Sequence, residues 1–418
     1  MRLLGLLSIL AAALPVFGAD ASIPQDEYRQ RRAALRKALP DSLIVLFGGT
    51  EGSDLRTGFF QSPDFYYLTG WREPNAILVI TPDTEALLIP RRDAKQEQWT
   101  GRKLAPGDPT VQSESGFETV LPTTTFQSQL LKWAESASLI YTLTSSPQAE
   151  GLKRLLPLRE IRNAALPIAR LRAKKSAAEI ALIQAATDAT IEAHLAAWKR
   201  TKPGLGEYQI AATMSNAYFD RGCERHAYSP IVGSGKNAAT LHYAENRKRM
   251  DEGELLLMDV GAECSMYATD ITRTIPVNGK FTPRQKELYE VVLGAQKAAI
   301  DAIKPGVMLG HSSNKIGLHK IALDYIDSHG KDAKGQSLGR YFIHGLGHHV
   351  GLEVHDANDP AIPLEAGMVI TIEPGIYLPE ENIGIRIEDV VLVTETGAKV
   401  LSSSLPREVN EIEKAMAR

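Results

Sequence analysis

The stretch LLLMDVGAECSMYATDITRT, residues 255–274, decides how this chain folds around a functional site. It opens with an apolar run that ends at Asp259, and it continues into an alternating, β-branched segment that contains Asp270. Both patterns are typical of β-strands. Two neighbouring strands would bring the two carboxylates together. Acids placed in such apolar surroundings need a partner that compensates their charge.

Three further candidate residues lie downstream in equally distinctive surroundings. His348 belongs to the segment 344–356, which holds four of the ten histidines of the chain. Glu373 and Glu388 are each embedded in an apolar run of β type. We therefore predict one site for two divalent metal ions, with the ligands Asp259, Asp270, His348, Glu373 and Glu388.

Charge arithmetic explains why the partner should be metal. Four ionised carboxylates in one pocket carry a charge of about −4, and like charges at close range repel or force protonation. Two divalent cations and one bridging hydroxide supply about +3 and make the cluster tolerable. An oxygen-rich set with a single imidazole suits Mn²⁺, Zn²⁺, Co²⁺ or Fe²⁺ better than copper. We expect Mn²⁺, with Zn²⁺ or Co²⁺ as the alternatives.

These motifs together resemble the pita-bread metallopeptidases. The matching stretches are residues 231–235, 241–243, 259–277, 344–355, 372–375 and 384–389. Within that family the chain is most similar to aminopeptidase P, with prolidase second. The likeness covers residues 170–410, and a weaker one extends to the N-terminal half. It implies an α+β fold, in which a smaller α/β N-terminal domain precedes a C-terminal pita-bread (creatinase/aminopeptidase-like) catalytic domain.

The resemblance also implies roles for individual residues. Glu373 would be both a metal ligand and the general base, and Glu388 would bridge the metals. Taken singly, each glutamate is more often a surface acid at a strand edge than a ligand, but five matching ligand positions reverse that preference. Arg386 should face the same way as Glu388 and hold a carboxylate ligand or contact substrate. Tyr377 would lie close to the site or simply in the core.

Several histidines are candidates for the same site. His242 and His355 are similar to the substrate-side histidines of the family, and His344 resembles another active-site histidine. For His349 we expect an ordinary buried core residue, because its neighbour His348 already takes the metal position.

By resemblance the chain is an aminopeptidase that removes the first residue from peptides with proline at the second position. A metal-bridged hydroxide would attack the bond. Prolidase, which cleaves Xaa-Pro dipeptides, shares all five ligands and is the alternative, and a non-catalytic binding module of the same fold is a distant one. The family likeness also implies a homo-oligomer, a dimer or a tetramer. The net charge of −3 gives no reason to expect nucleic acid or membrane partners.

The N-terminus has the pattern of a secretory signal. Two residues, Met1 and Arg2, precede an apolar run to Phe17 and then small residues near position 21. The alternatives are a buried N-terminal helix and a retained anchor. We expect a signal peptide at 1–21, an N-terminal α/β domain at 22–167, a catalytic domain at 168–418, and export to the periplasm or beyond. The only two cysteines, Cys223 and Cys264, are expected to be unpaired, although export would permit a disulfide.

Local patterns predict several individual elements. Leu43–Phe47 reads as a buried strand, and residues 76–80 and 86–89 read as a hairpin. A long helix should follow Arg172, with Ser176 and Glu179 as a capping box. The order of a helix, Lys-Pro-Gly and a second helix occurs at 202–204 and again at 304–306, which suggests an internal repeat.

Overall fold

The computed structural model describes residues 22–52 and 58–417. The predicted signal peptide at 1–21 lies outside these residues. Within the described ranges, no helix combines the length and the apolar character needed to cross a membrane.

The N-terminal part is built on a six-stranded mixed sheet in the order β4-β3-β2-β1-β5-β6. Its strands are β1 Ser42–Phe47, β2 Ile77–Ile80, β3 Glu85–Ile89, β4 Val120–Pro122, β5 Leu139–Thr142 and β6 Ile161–Asn163. Its helices are α1 Gln25–Ala38, α2 Pro63–Thr69, α3 Ala94–Thr100, α4 Val111–Ser115, α5 Phe126–Glu135 and α6 Ala149–Leu155. The predicted buried strand and the predicted antiparallel hairpin β2–β3 are confirmed.

A helical connection leads from this sheet into the rest of the chain. Helix α7 spans Ala165–Ala173 and α8 spans Ala177–Arg200. The Ser176 side chain accepts a hydrogen bond from the Glu179 N–H, and the Glu179 carboxylate accepts one from the Ser176 N–H. This reciprocal pair is the predicted capping box, and it fixes the start of α8 because it satisfies two otherwise unpaired backbone donors.

The C-terminal part combines short antiparallel sheets with long helices. Its strands are β7 Arg225–His226, β8 Ile231–Ser234, β9 Leu255–Val260, β10 Ala262–Cys264, β11 Tyr267–Ala268, β12 Ile271–Pro276, β13 Val369–Ile372, β14 Gly375–Leu378, β15 Ile383–Arg386, β16 Asp389–Val393 and β17 Ala398–Val400. Its helices are α9 Glu207–Phe219, α10 Pro283–Asp301, α11 Gly317–His329 and α12 Val409–Met416. Short 3-10 helices span Thr123–Thr125, Gly235–Ala239, Leu338–Tyr341 and Pro379–Glu381.

The internal repeat predicted from the two Lys-Pro-Gly breaks is present in the backbone. Gly204 separates α8 from α9 and donates its N–H to the Met250 carbonyl at 2.8 Å. Gly306 separates α10 from α11 and donates to the Leu364 carbonyl, also at 2.8 Å. Both glycines have a positive φ, of 87° and 91°, which a side chain would disfavour. Each of these contacts precedes an antiparallel ladder, β9–β12 in the first half and β13–β16 in the second.

The expectation of two unpaired cysteines is wrong, because Cys223 and Cys264 form a disulfide. Cys223 follows α9, and Cys264 ends β10. The strands β7 and β10 pair with Ala262 opposite His226, and this pairing brings the two Cα atoms to 4.2 Å. The two cysteines are 41 residues apart in sequence, so local pattern alone does not reveal their proximity.

We expect the denatured, unreduced protein to show no reactive thiol and the reduced protein to show two, measured with a colorimetric thiol reagent. The single variant C223S is the control and should release one thiol without reduction. The double variant C223S/C264S should lose about 2–4 kcal/mol of unfolding free energy, because the cross-link restricts the unfolded chain. Two reactive thiols in unreduced wild-type protein would contradict the disulfide.

Candidate metal centre

Four acidic side chains meet where the two central ladders end. Asp259 lies near the end of β9, and Asp270 immediately precedes β12. Glu373 immediately follows β13, and Glu388 immediately precedes β16. The Glu388 N–H donates to the Thr272 carbonyl at 3.0 Å, which joins the two ladders edge to edge. Each ladder therefore contributes one pair of acids to a single cavity.

One atom each of Asp270, His348 and Glu388 could hold a common metal ion, since these atoms all lie within 4.8 Å of one another. The Nε2 atom of His348 is 3.5 Å from an Asp270 oxygen and 3.4 Å from a Glu373 oxygen. Ligands of a common ion at bond lengths of about 2.1 Å are separated by about 3.0–3.4 Å, so this spacing fits shared coordination.

The orientation of His348 is set by its other ring nitrogen. Its Nδ1–H donates to the His349 carbonyl at 3.1 Å, which directs Nε2 toward the acids. The Thr371 hydroxyl accepts the His348 N–H at 3.0 Å and lies 3.2 Å from a Glu373 oxygen. The hydrogen bond from Nδ1–H fixes both the tautomer and the ring plane, as it does in metal-binding histidines generally.

Burial raises the pKa of three of the acids. The pKa of Glu388 and that of Asp270 lie well above their ordinary values, first because the groups are removed from water and then because neighbouring carboxylates repel them. The pKa of Glu373 is raised by burial as well. Among the described residues, Glu388 Oε1 is buried without a hydrogen-bond partner. A divalent cation would satisfy that oxygen and relieve the repulsion, so the donor set fits metal.

Arg386 supplies the positive charge that the protein itself brings to the cluster. Its guanidinium contacts the Asp259 carboxylate and donates to the Tyr377 hydroxyl at 2.8 Å and to the Thr272 hydroxyl at 3.2 Å. Arg386 is the last residue of β15, and its side chain reaches the site. It holds the Asp259 carboxylate, which is one of the two roles predicted for it. Tyr377 also lies beside the site, where burial raises its pKa to about 12.

Tyr228 is a site residue that sequence reasoning missed. Its hydroxyl contacts one oxygen each of Asp259 and Asp270. The hydroxyl thus links the two acids, and the pKa of Asp270 is raised first by burial and then by the neighbouring Asp259 and Glu373 carboxylates. Only the strand register, in which Ile231 lies opposite Asp259, brings Tyr228 to the site, and no local motif announces it.

The cavity in front of the acids has a volume of about 640 Å³ and is lined by His242, His344 and His355. His344 donates from Nδ1 to the Gly345 carbonyl and accepts the Tyr377 hydroxyl at 2.8 Å. Burial lowers the pKa of His344 to about 3 and that of His355 to about 4, so both are neutral near pH 7. The His355 and His348 rings are in contact, with centroids 3.9 Å apart and planes tilted by 38°.

The remaining wall of the cavity is mainly apolar, with Ile231, Leu241 and Val354 among its residues. His311, which no sequence motif marks, also lines the cavity. His349 is buried outside it, as expected, and burial lowers its pKa to about 4.

Comparisons with known proteins agree with this geometry. Residues 181–395 match the model of metallopeptidase family M24, and residues 28–141 match the N-terminal domain of aminopeptidase P. The chain is 36% identical to a Xaa-Pro aminopeptidase of Haemophilus influenzae over 95% of this chain and 98% of the relative. It is 33% identical to the Escherichia coli Xaa-Pro aminopeptidase over the same shares. The solved structure of zinc-substituted E. coli aminopeptidase P in complex with product is 30% identical, with a TM-score of 0.85, over 94% of this chain and 98% of that one.

We expect D270N to remove part of the stability loss that the metal-free protein suffers as pH rises. A raised carboxyl pKa means that the folded state holds a proton that the unfolded chain releases, so stability falls as pH rises above the ordinary value of 3.8. In chelator, the melting temperature of D270N relative to wild type should therefore increase from about pH 5 to about pH 8. Added divalent cations should instead favour wild type.

The exposed Asp301 provides the control. D301N should follow wild type in chelator and with added cations. A constant offset between D270N and wild type across the pH range would contradict the raised pKa of Asp270.

Proposed function

The chain belongs to metallopeptidase family M24, and on that premise we propose that it is a Xaa-Pro aminopeptidase. It would release the first residue of peptides that carry proline at the second position. The observation that carries this proposal is the convergence of four acids and one imidazole in a cavity with neutral histidines on its wall. The relatives named Xaa-Pro aminopeptidase, which this chain matches along nearly their whole length, support the same substrate class.

The proposed metal ligands are Asp259, Asp270, His348, Glu373 and Glu388. When bound, two divalent cations would supply an activated water and polarise the substrate carbonyl. We expect Mn²⁺, with Zn²⁺ or Co²⁺ as the alternatives, because oxygen ligands outnumber the single imidazole. The unpartnered Glu388 oxygen and the spacing around His348 support this assignment.

Glu373 is the proposed proton carrier. Burial raises its pKa toward the working range, where a carboxyl both accepts and returns a proton efficiently. The prolyl nitrogen that leaves has no hydrogen of its own and must gain a proton. Glu373 is suited to take a proton from the attacking water and to deliver it to that nitrogen.

His242 and His355 are the proposed contacts to the substrate. His355 is neutral near pH 7 and therefore presents one N–H donor to oxygen that becomes negative during attack. The apolar side chains Ile231, Leu241 and Val354 would pack against the proline ring. The acidic cluster would attract the free ammonium group of the first residue.

We further propose that the protein is exported to the periplasm or beyond. The support is the signal-like pattern at 1–21 together with the disulfide, because disulfides persist in oxidising compartments. The thiol titration described above bears on this proposal, since a reducing cytoplasm would keep both cysteines reduced. Assembly into a dimer or tetramer stays a prediction.

A tripeptide Xaa-Pro-Yaa should be cleaved faster than the dipeptide Xaa-Pro, with release of the first residue measured by chromatography. Thorough chelation should remove at least about 99% of the activity, and Mn²⁺ should restore it, because the ligand set provides no other nucleophile. A preference for the dipeptide would favour prolidase. Full activity in protein shown by elemental analysis to be metal-free would end the proposal.

The variant E373Q should lower kcat by about 10²–10⁴-fold on the tripeptide, because glutamine cannot carry the proton. Elemental analysis must accompany the assay, since Glu373 is also a proposed ligand. E395Q is the matched control, because Glu395 is exposed beyond the end of β16. The proton-carrier role fails if metal-loaded E373Q turns over as fast as E395Q.

A further inference from the structure

A buried charge network lies outside the metal centre and has no part in the mechanism above. It consists of Arg172 in the last turn of α7, Lys175 between α7 and α8, and Asp356, which follows the cavity histidine His355. The side chains of these three charged residues are each no more than 2% exposed. Three buried charges cost free energy unless they are well paired, so the network calls for a specific explanation.

Asp356 is paired on both of its oxygens. The Lys175 ammonium donates to one oxygen at 2.9 Å, and the Arg172 guanidinium donates to the other at 2.5 Å. Arg172 also binds Glu353 at 2.9 Å, at the start of the same loop. The pairs bridge more than 180 residues of sequence, from the connection to the loop. The Arg172 guanidinium and the Lys175 ammonium thus hold both ends of the segment 353–356.

The backbone around Asp356 leads directly to the metal-site histidines. Its N–H donates to the His349 carbonyl at 2.8 Å, and the same carbonyl accepts the Nδ1–H of His348 at 3.1 Å. A side chain at Gly351 would place its Cβ 2.4 Å from an Asp356 oxygen, so only glycine fits beside the paired carboxylate. The loop is therefore closely packed around Asp356.

His355 depends on this loop for its position. In residues 22–52 and 58–417 its ring contacts His348 and lines the cavity, but it makes no side-chain hydrogen bond. Because this tilted ring contact is its one side-chain interaction of that kind, the ring is positioned chiefly by its backbone. The fixed point nearest to it in sequence is its neighbour, Asp356.

We propose that Lys175 and Arg172 are positioning residues that hold His355 in its catalytic place through Asp356. This inference rests on the proposed function, because it assigns His355 a role in peptide cleavage. Arg172 also donates to Asp64 of α2 at 2.6 Å, so the N-terminal part contributes to the same anchor. The role is indirect, since neither cation lines the cavity.

The first test compares K175M with K174M. Methionine preserves the length of the lysine stem, and Arg172 remains to pair Asp356, so K175M should fold. We expect kcat to fall about 10-fold, with KM changed by less than about 2-fold, because a misplaced group loses its transition-state contact. K174M is the matched control, since Lys174 is exposed and pairs with Glu365, and it should behave as wild type. K175R should recover most of the lost kcat.

The second test is a double-mutant cycle with H355A. If Lys175 acts through His355, then K175M should change kcat by less than about 2-fold in the H355A background. A general loss of structure would instead reduce kcat by the same factor in both backgrounds, which would overturn the proposal. Wild-type kcat in K175M would overturn it as well.

If K175M does not fold, R172K takes its place in the same cycle, because lysine keeps the charge but loses the fork that joins Asp64, Glu353 and Asp356. The proposed function and the positioning role of Lys175 are contradicted by different results. Wild-type protein that is inactive on Xaa-Pro tripeptides defeats the proposed function and the inference together. Active wild type with K175M equal to K174M defeats the inference alone.

Discussion

Mutual repulsion among four buried carboxylates is the constraint on which the rest of this structure depends. Asp259, Asp270, Glu373 and Glu388 lie in one cavity, and burial makes each negative charge costly. The protein itself supplies one guanidinium, that of Arg386, and one tyrosine hydroxyl, that of Tyr228. These two groups do not balance the cluster, and the raised pKa values of Asp270 and Glu388 express the deficit. A fold that maintains such a deficit keeps a site ready for cations.

The repeated architecture explains how the acids are delivered. In each half, an antiparallel ladder offers one acid at the end of the outgoing strand and one just before the returning strand. The two ladders meet through the hydrogen bond from Glu388 to Thr272, so the pairs face a shared space. The helices α8 and α10 begin with capping boxes and precede matching glycine breaks. The paired strands therefore position the acids, which lie at or directly beside the strand ends.

Local sequence was sufficient wherever a residue and its neighbours in the chain carry the signal. The strand contexts of the four acidic ligands, the histidine-rich segment around His348, the Ser176 capping box and the repeated Lys-Pro-Gly break all belong to this class. The resemblance to the pita-bread metallopeptidases is confirmed. The position of Thr272 at the site could also have been predicted, because Thr272 lies two residues after Asp270 on an alternating strand. Local sequence does not predict three other features: the place of Tyr228 at the site, the disulfide, and the pairing of Lys175 with Asp356. Each depends on strand register or on contacts between distant segments, which no local pattern encodes.

The division of the acids between two ladders has a consequence for how the protein matures. Each ladder alone contributes only two of the four acids: Asp259 and Asp270 in the first, Glu373 and Glu388 in the second. On the proposed ligand assignment, the full set of four acids exists only when the second ladder docks against the first, more than a hundred residues later in the chain. Metal binding by that set would therefore require completed tertiary structure, and a chain without the second ladder would lack half of the acidic ligands.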